Sequence, residues 1–349
     1  DDLLVAMAGT ASGAAPQHGG SVTFAGNIAQ RQLAVVYVSS TDGDELWARG
    51  FGTVATDGVA DTTAVAVAPR TDDNLQGVVL AGSFEGGALA VGETLLEPPA
   101  GSTGRTAFVV YMSAADGLVL WATRCTTGTA TSSDYSIVTA VMASADAVAV
   151  GGAFLHAKTG SAAWAVEGQS PPVHEGERGA SFENGFITMM ARSSGDVVGA
   201  VTPSCVDDGC RFVALSRSTH GRSVAVLQYA GATRVGRFTL HSQNSTRRAA
   251  AVVLGGVAGS NIETVVRIGA GRDGDVVGLT VAVGVSRALV SVAGFALQGV
   301  SLLDATCLEN SGCTIKSVQS FPSNETTPLR PLPFSVVIDA APRAAMVRP

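Results

Sequence analysis

The chain has 349 residues, 46% hydrophobic and 15% charged, with a formal net charge of −7; this excludes a disordered polar composition and supplies enough apolar material for a large core. Beyond Arg247-Arg248 there is no basic run, so neither nucleic acid nor anionic lipid is expected as a partner. The longest charge-free apolar stretch, 288–303, is interrupted by Gln298 and glycines, and is too short for a membrane span, so no membrane insertion is expected.

Gly, Val, Thr, Ser and Ala dominate while Lys and Glu are scarce, and the apolar residues do not recur at helical spacing; the expectation is an all-β chain. In chain order, the first predicted strand is "LLVAMAGT" at 3–10, followed by "QLAVVYVS", a turn at "STDGD" and a strand carrying Trp47. The next group is "TTAVAVAP" from 62, "GVVLAGSF" at 77–84, then "TAFVVYMSAADGLVLW", in which Gly117 and Trp121 follow Gly43 and Trp47 by 74 residues each. "IVTAVMAS" from 137, "AVAVGGAF" at 147–154 and "GFITMMARSSGDVVG" form a third group, with Gly195 a further 78 residues on. A fourth reads "RFVALSRS" from 211, "VAVLQYAG" at 224–231 and "TVVRIGAGRDGDVVG", whose Gly274 lies 79 residues later. The fifth is "GLTVAVGV" from 278, "LVSVAGFA" at 289–296 and "FSVVIDAAPRAAMVRP" at the C-terminus, where the glycine turn is lost.

A unit of about 75 residues with four strands, repeated at fixed spacing, predicts a β-propeller of four-stranded antiparallel blades. Five units are visible, at 1–57, 58–130, 131–206, 207–284 and 285–349, making a single domain. Strands such as "FVVYM" are apolar at both alternating positions, as expected where both faces of a sheet are covered. Trp47 and Trp121, with Phe108 and Phe186, are the residues expected to pack between blades.

The order "VVLAGSF … TAFVVYMSAADGLVLWATR … TAVMASADAVAVGGAF" resembles the bacterial seven-bladed-propeller repeat family (SBBP-like), with its Asp-Gly hairpin, following aromatic and strand ending in Gly-x-Phe. The resemblance covers 31–154 best. It implies a propeller fold and a secreted or surface setting, and it carries no catalytic residue to transfer. Five units stand against the family's seven, so either the ring closes with five blades or the chain is part of a larger propeller. The opening "DDLLVAMAG" has no basic and apolar leader, which reads as a removed signal peptide or as a piece of a longer chain.

Most irregular sequence falls between the second and third strands of the units, at 11–31, 85–104, 155–183, 232–259 and 297–333. Long loops gathered on one face of a rigid scaffold are the expected place for a partner, or are solvated insertions without one. Trp164, within "KTGSAAWAVEGQSPP", is the candidate for partner contact. Cys307 and Cys313 lie in the last of these loops, while Cys125, Cys205 and Cys210 lie in connections between units on the same expected face, and none has Cys-x-x-Cys spacing; the expected pairs are Cys205–Cys210 and Cys307–Cys313, with Cys125 unpaired or linking to another chain. Disulfides imply an oxidising, extracellular or cell-surface location. Asn244 and Asn324 head Asn-x-Thr sequons in two of the loops and are the candidate glycosylation sites.

Enzyme signals are weak. "GAGRDG" at 269–274 matches a dinucleotide fingerprint, but a strand rather than a helix N-terminus follows, so a turn is expected. "HEGE" at 174–177 lacks convergent partners for a metal, and the Asp-rich turns lack the alternating ligand series of a calcium loop. No catalytic residue, cofactor or metal is assigned. The expected function is a non-catalytic extracellular propeller, structural or interacting through other protein chains or copies of itself; the alternatives are a glycan-binding propeller or, behind it, a propeller hydrolase or lyase.

Overall fold

The computed structural model describes residues 4–11, 32–39, 42, 44–55, 57–68, 76–100, 103–127, 135–155, 162–166, 174–176, 183–206, 209–217, 223–242, 246–255, 261–270, 275–283, 289–297, 303–307, 314–320 and 332–339. Among the described residues there is no helix; every regular element is a strand. In chain order these are β1 (Leu4–Ala11), β2 (Gln32–Ser39), β3 (Glu45–Thr53), β4 (Val59–Ala68), β5 (Gly77–Glu85), β6 (Leu89–Val91), β7 (Thr94–Leu96), β8 (Thr106–Ser113) and β9 (Val119–Thr127). They continue as β10 (Tyr135–Ala143), β11 (Ala147–Leu155), β12 (Ala162–Val166), β13 (His174–Gly176), β14 (Asn184–Ala191), β15 (Val197–Val201), β16 (Ser204–Val206), β17 (Cys210–Arg217) and β18 (Ser223–Tyr229). The last are β19 (Ala232–Val235), β20 (Phe238–His241), β21 (Arg248–Gly255), β22 (Asn261–Ala270), β23 (Asp275–Val283), β24 (Leu289–Leu297), β25 (Leu303–Cys307), β26 (Thr314–Ser320) and β27 (Leu332–Asp339).

Contacts divide the chain into two compact units, Asp1–Ser181 with Thr188–Val198, and Phe182–Ile187 with Gly199–Pro349. In the first unit β1, β2 and β3 pair in order, β4, β5, β8 and β9 form the next meander, and β10 and β11 open a four-stranded sheet of order β10-β11-β14-β15. Its core includes Leu33, Val35, Tyr37, Leu80, Phe84, Phe108 and Val110. Both faces of β5 and β8 are buried along almost their whole length, which is what their unbroken apolar runs require. In the second unit β17, β18, β21 and β22 form one meander, and β23, β24, β27 and β26 pair in that order. Its core is drawn from Val226, Ala251, Val253, Val266, Ile268, Val292 and Val336.

One joint between successive sheets recurs three times. The first strand of a sheet donates a backbone N–H to the carbonyl just before the third strand of the preceding sheet: Ser136 to Arg105 at 2.8 Å, Cys210 to Glu183 at 2.9 Å, and Val276 to Arg247 at 2.9 Å. A repeated long-range bond of this kind, at matching places, makes the units structural copies as well as sequence copies.

The Gly-x-Phe signature has a local cause. Gly82 and Gly152 lie opposite register shifts in β4 and β10, where an extra residue is accommodated. There a Cβ would sit 2.0 Å from the carbonyl oxygen of Asp61 or Ile137. Backbone cannot yield as a side-chain tip can, so only glycine fits. Gly152→Ala is therefore expected to lower stability by about 2 kcal/mol or more, as an overpacked site; an unchanged urea midpoint would show that the bulge relaxes freely.

Two sequence expectations are corrected here. The repeat spacing predicts the fourth copy of the hairpin at "TVVRIGAGRDGDVVG", with Gly274 at its turn. Instead β21 is the third strand of that sheet, β22 the fourth, and Asp275 already opens β23, which pairs with β24. The run "RAAAVVLG" inside the supposed loop supplies the missing strand, and its alanines hid it by lacking β-branched character. The second correction concerns the long loops. Their described portions are largely strands: β6 pairs with β3, β12 with β9, β19 with β16 and β25 with β22. β6, β12 and β25 each extend the edge of the sheet preceding them in sequence, which covers backbone donors that would otherwise be open, whereas β19 and β20 form a separate small sheet with β16.

Candidate functional site

The hairpin ends are the most regularly built polar places in the first unit. In three copies a backbone N–H closes the turn: Ser39 to Asp44 O, Ser113 to Leu118 O and Ala191 to Asp196 O. The side chain two residues before the closing position then caps its N–H: Asp42 Oδ1 accepts from Asp44 at 3.1 Å, Asp116 Oδ1 from Leu118 at 3.2 Å, and Ser194 Oγ from Asp196 at 3.3 Å. Such Asx and Ser turns are why Asp and Ser recur there. The hydrogen bond from Asp44 N–H, followed by that from Ser39, holds the Asp42 carboxyl below its ordinary range; Asp116 is lowered first by Ser113 and then by Leu118 N–H.

Gly117 and Gly195 adopt φ of 69° and 78°, and each receives the tryptophan of the preceding copy. A Cβ on Gly117 would meet the Trp47 ring at 2.8 Å, and one on Gly195 the Trp121 ring at 3.0 Å. Trp47 Nε1 donates to Ala114 O at 2.7 Å and Trp121 Nε1 to Arg192 O at 2.8 Å. Across its own sheet Trp47 stacks on Tyr37 with centroids 5.1 Å apart, and Trp121 on Tyr111 at 5.6 Å. The tryptophans thus join sheets: Trp47 is buried and Trp121 half-buried. Phe108 and Phe186 are fully buried.

Sequence reading missed Arg192, which is 1% exposed. Its Nε donates to Tyr111 Oη, an Nη to Ala145 O at 3.2 Å, and its guanidinium lies 5.5 Å from the Tyr111 ring centroid. The available signal was alignment: Arg192 stands where the preceding copy has Ala114, and the first two copies carry Tyr37 and Tyr111 at one matching place. Without such a donor, the Tyr37 hydroxyl is buried with no partner, and burial pushes its pKa up to about 12.

Two charged groups on first strands, Asp61 and Arg211, are engaged in ion pairs. Arg105 faces Asp61 at 3.4 Å and Glu85 at 3.6 Å, while Arg211 meets Glu183 at 2.7 Å. Among the described residues no group of three or more His, Cys, Asp or Glu is placed to hold a metal. His174 and Glu175 of the "HEGE" segment lie in β13, paired with Trp164 and Ala163.

Cys205 and Cys210 form a disulfide with Cα atoms 5.9 Å apart, tying β16 to the start of β17. Cys125 is a free, fully buried thiol on β9, whose pKa burial drives far upward. It is expected to resist alkylation at neutral pH until the chain unfolds; labelling of the native protein at the rate of an exposed thiol would contradict that placement. The expected Cys307–Cys313 pair lies outside the described residues apart from the backbone of Cys307 in β25, and Asn244 and Asn324 lie outside them altogether. Trp164 is not in a loop: its backbone pairs with Thr127 on one side and His174 on the other. The apolar stretch "AAWAV" takes strand form because the edge of β9 offers it hydrogen bonds.

No family model matches the chain, and no curated protein sequence matches it.

Proposed function

We propose that this chain is a non-catalytic β-propeller-type module of the cell exterior that contacts other protein chains. The observation carrying this reading is that the hydrogen-bonding side chains at the hairpins are engaged in holding the scaffold: Asp42, Asp116 and Ser194 cap turns, and the indoles and one arginine join sheets. Trp47, Trp121 and Arg192 bond across to neighbouring copies, and Asp61 and Arg211 of the first strands sit in ion pairs. Among the described residues such a scaffold offers surface, with the charged groups named above held in ion pairs and not gathered into an acid, base or nucleophile constellation. The Cys205–Cys210 disulfide is compatible with an oxidising compartment, and no helix among the described residues is long and apolar enough to cross a membrane.

The test is binding of the purified chain to the surface of its own cells, beside hydrolase and lyase assays and a glycan array. Saturable binding that protease treatment of the cells removes, with no turnover, is the expected result. Protease-resistant binding that reproduces on isolated glycans would replace it with a lectin reading, and turnover of a polysaccharide would end it.

A further inference from the structure

Three large aliphatic side chains are exposed at one matching place in successive copies: Leu46 at 51%, Leu120 at 56% and Val198 at 48%, each two residues after the turn-closing position. Leu118, 59% exposed, stands beside Leu120. Leu46 and Leu120 are the extra residues at register shifts in β3 and β9, skipped between the pairs Tyr37↔Trp47 and Val38↔Glu45, and between Tyr111↔Trp121 and Met112↔Val119. A bulge alone blunts an edge against unwanted pairing, and a charged residue at that place does so better. Folding therefore explains the bulge but not the repeated choice of an aliphatic.

The hairpin ends also stand side by side. Trp47 packs on Gly117 and Trp121 on Gly195, so the exposed positions form one row along the first unit. The far halves of the same strands are already covered, β3 at Gly52–Thr53 by β6 and β9 at Cys125–Thr127 by β12. The open row thus continues an edge that the molecule uses elsewhere for apposition. Exposed carboxylates of Asp44, Glu45, Asp116 and Asp196 border it, partly offset by the Arg49 guanidinium, which donates to Asp116 O.

We infer that this row is a docking face for a protein partner that presents aliphatic side chains interleaved with Lys or Arg. The aliphatics supply the desolvated contact, and the flanking carboxylates select a basic partner over an acidic one, a second copy of this chain of net charge −7 included. The bulges break strand register, so the contact is through side chains and not through strand addition.

The inference rests on the protein-interaction reading above, and its test separates the two. A short peptide of alternating Leu and Lys is titrated into the full chain by fluorescence anisotropy, with Ser-Lys and Leu-Glu peptides as controls. The variant Leu46→Ser, Leu118→Ser, Leu120→Ser, Val198→Ser is titrated likewise, after its urea midpoint is shown to match the parent. The Leu-Lys peptide is expected to bind, and to bind about tenfold or more weakly to the variant, since each lost aliphatic contact removes an apolar contribution. Equal binding by the variant, or by either control peptide, overturns the docking face. Should the variant also keep full cell-surface binding, the module reading stands and the face lies elsewhere; should the parent bind the Leu-Lys peptide but not the cells, the face stands and the module reading falls.

Discussion

Trp47→Ala is expected to destabilise the first unit by about 3–5 kcal/mol, the range of large aromatic truncations in a core. The ring is only 6% exposed, stacks on Tyr37 and lies against Gly117 of the next copy. Its removal opens a cavity between two sheets and leaves Ala114 O without the indole N–H it accepts at 2.7 Å. Trp47→Phe keeps most of the ring and loses that bond, so about 1–2 kcal/mol is expected, the cost of a buried acceptor left unpaired. Trp121→Ala should cost less than Trp47→Ala, because Trp121 is half-buried although it makes the same bond. Urea midpoints of the three variants check the order; a Trp121→Ala loss as large as that of Trp47→Ala would mean that burial is not what the pair contributes.

The asymmetry between these tryptophans shows what the residues disclose and what they do not. The 74-residue spacing of Gly43 to Gly117 and Trp47 to Trp121 made the hairpin legible, because a tight turn needs glycine with positive φ and a capping Asp or Ser wherever it recurs. The Gly-x-Phe strands were legible for a similar reason: the bulge opposite Gly152 tolerates no Cβ. By contrast β6, at Leu89–Val91, and β12, at Ala162–Val166, are short segments whose strand form depends on an edge far away in sequence, and local propensity carries no trace of that. In the fourth copy Gly274 keeps the spacing while "RAAAVVLG" supplies the third strand. Spacing alone cannot distinguish a turn inside a sheet from a connection between sheets. The exposed Leu46 and Leu120 read in sequence as ordinary strand residues, since both stand at a bulge that only the pairing reveals.

Arg192→Met is expected to cost roughly 3 kcal/mol or more, as charged hydrogen bonds contribute about 1.5–3 kcal/mol each and their buried acceptors are stranded when the donor goes. Met matches the length of the aliphatic stem and removes the charge, so the desolvation that the guanidinium suffers is regained and partly offsets the loss. What decides the sign is geometry: Tyr111 Oη and Ala145 O are held at once by one planar fork, whose Cζ lies over the Tyr111 ring, 5.5 Å from its centroid. Lys retains the charge but offers a single ammonium, which cannot occupy both donor positions and is more strongly hydrated than a guanidinium. Arg192→Lys should therefore destabilise at least as much as Arg192→Met, an order that a purely charge-based role would reverse. A cycle with Tyr111→Phe isolates the hydroxyl, with a coupling of about 0.5–3 kcal/mol expected for residues in direct contact. Zero coupling would place the whole effect at Ala145 O and the ring face. The first copy supplies a natural comparison: there Ala114 leaves the Tyr37 hydroxyl buried and unpartnered, so Tyr37→Phe should be neutral or stabilising where Tyr111→Phe is not.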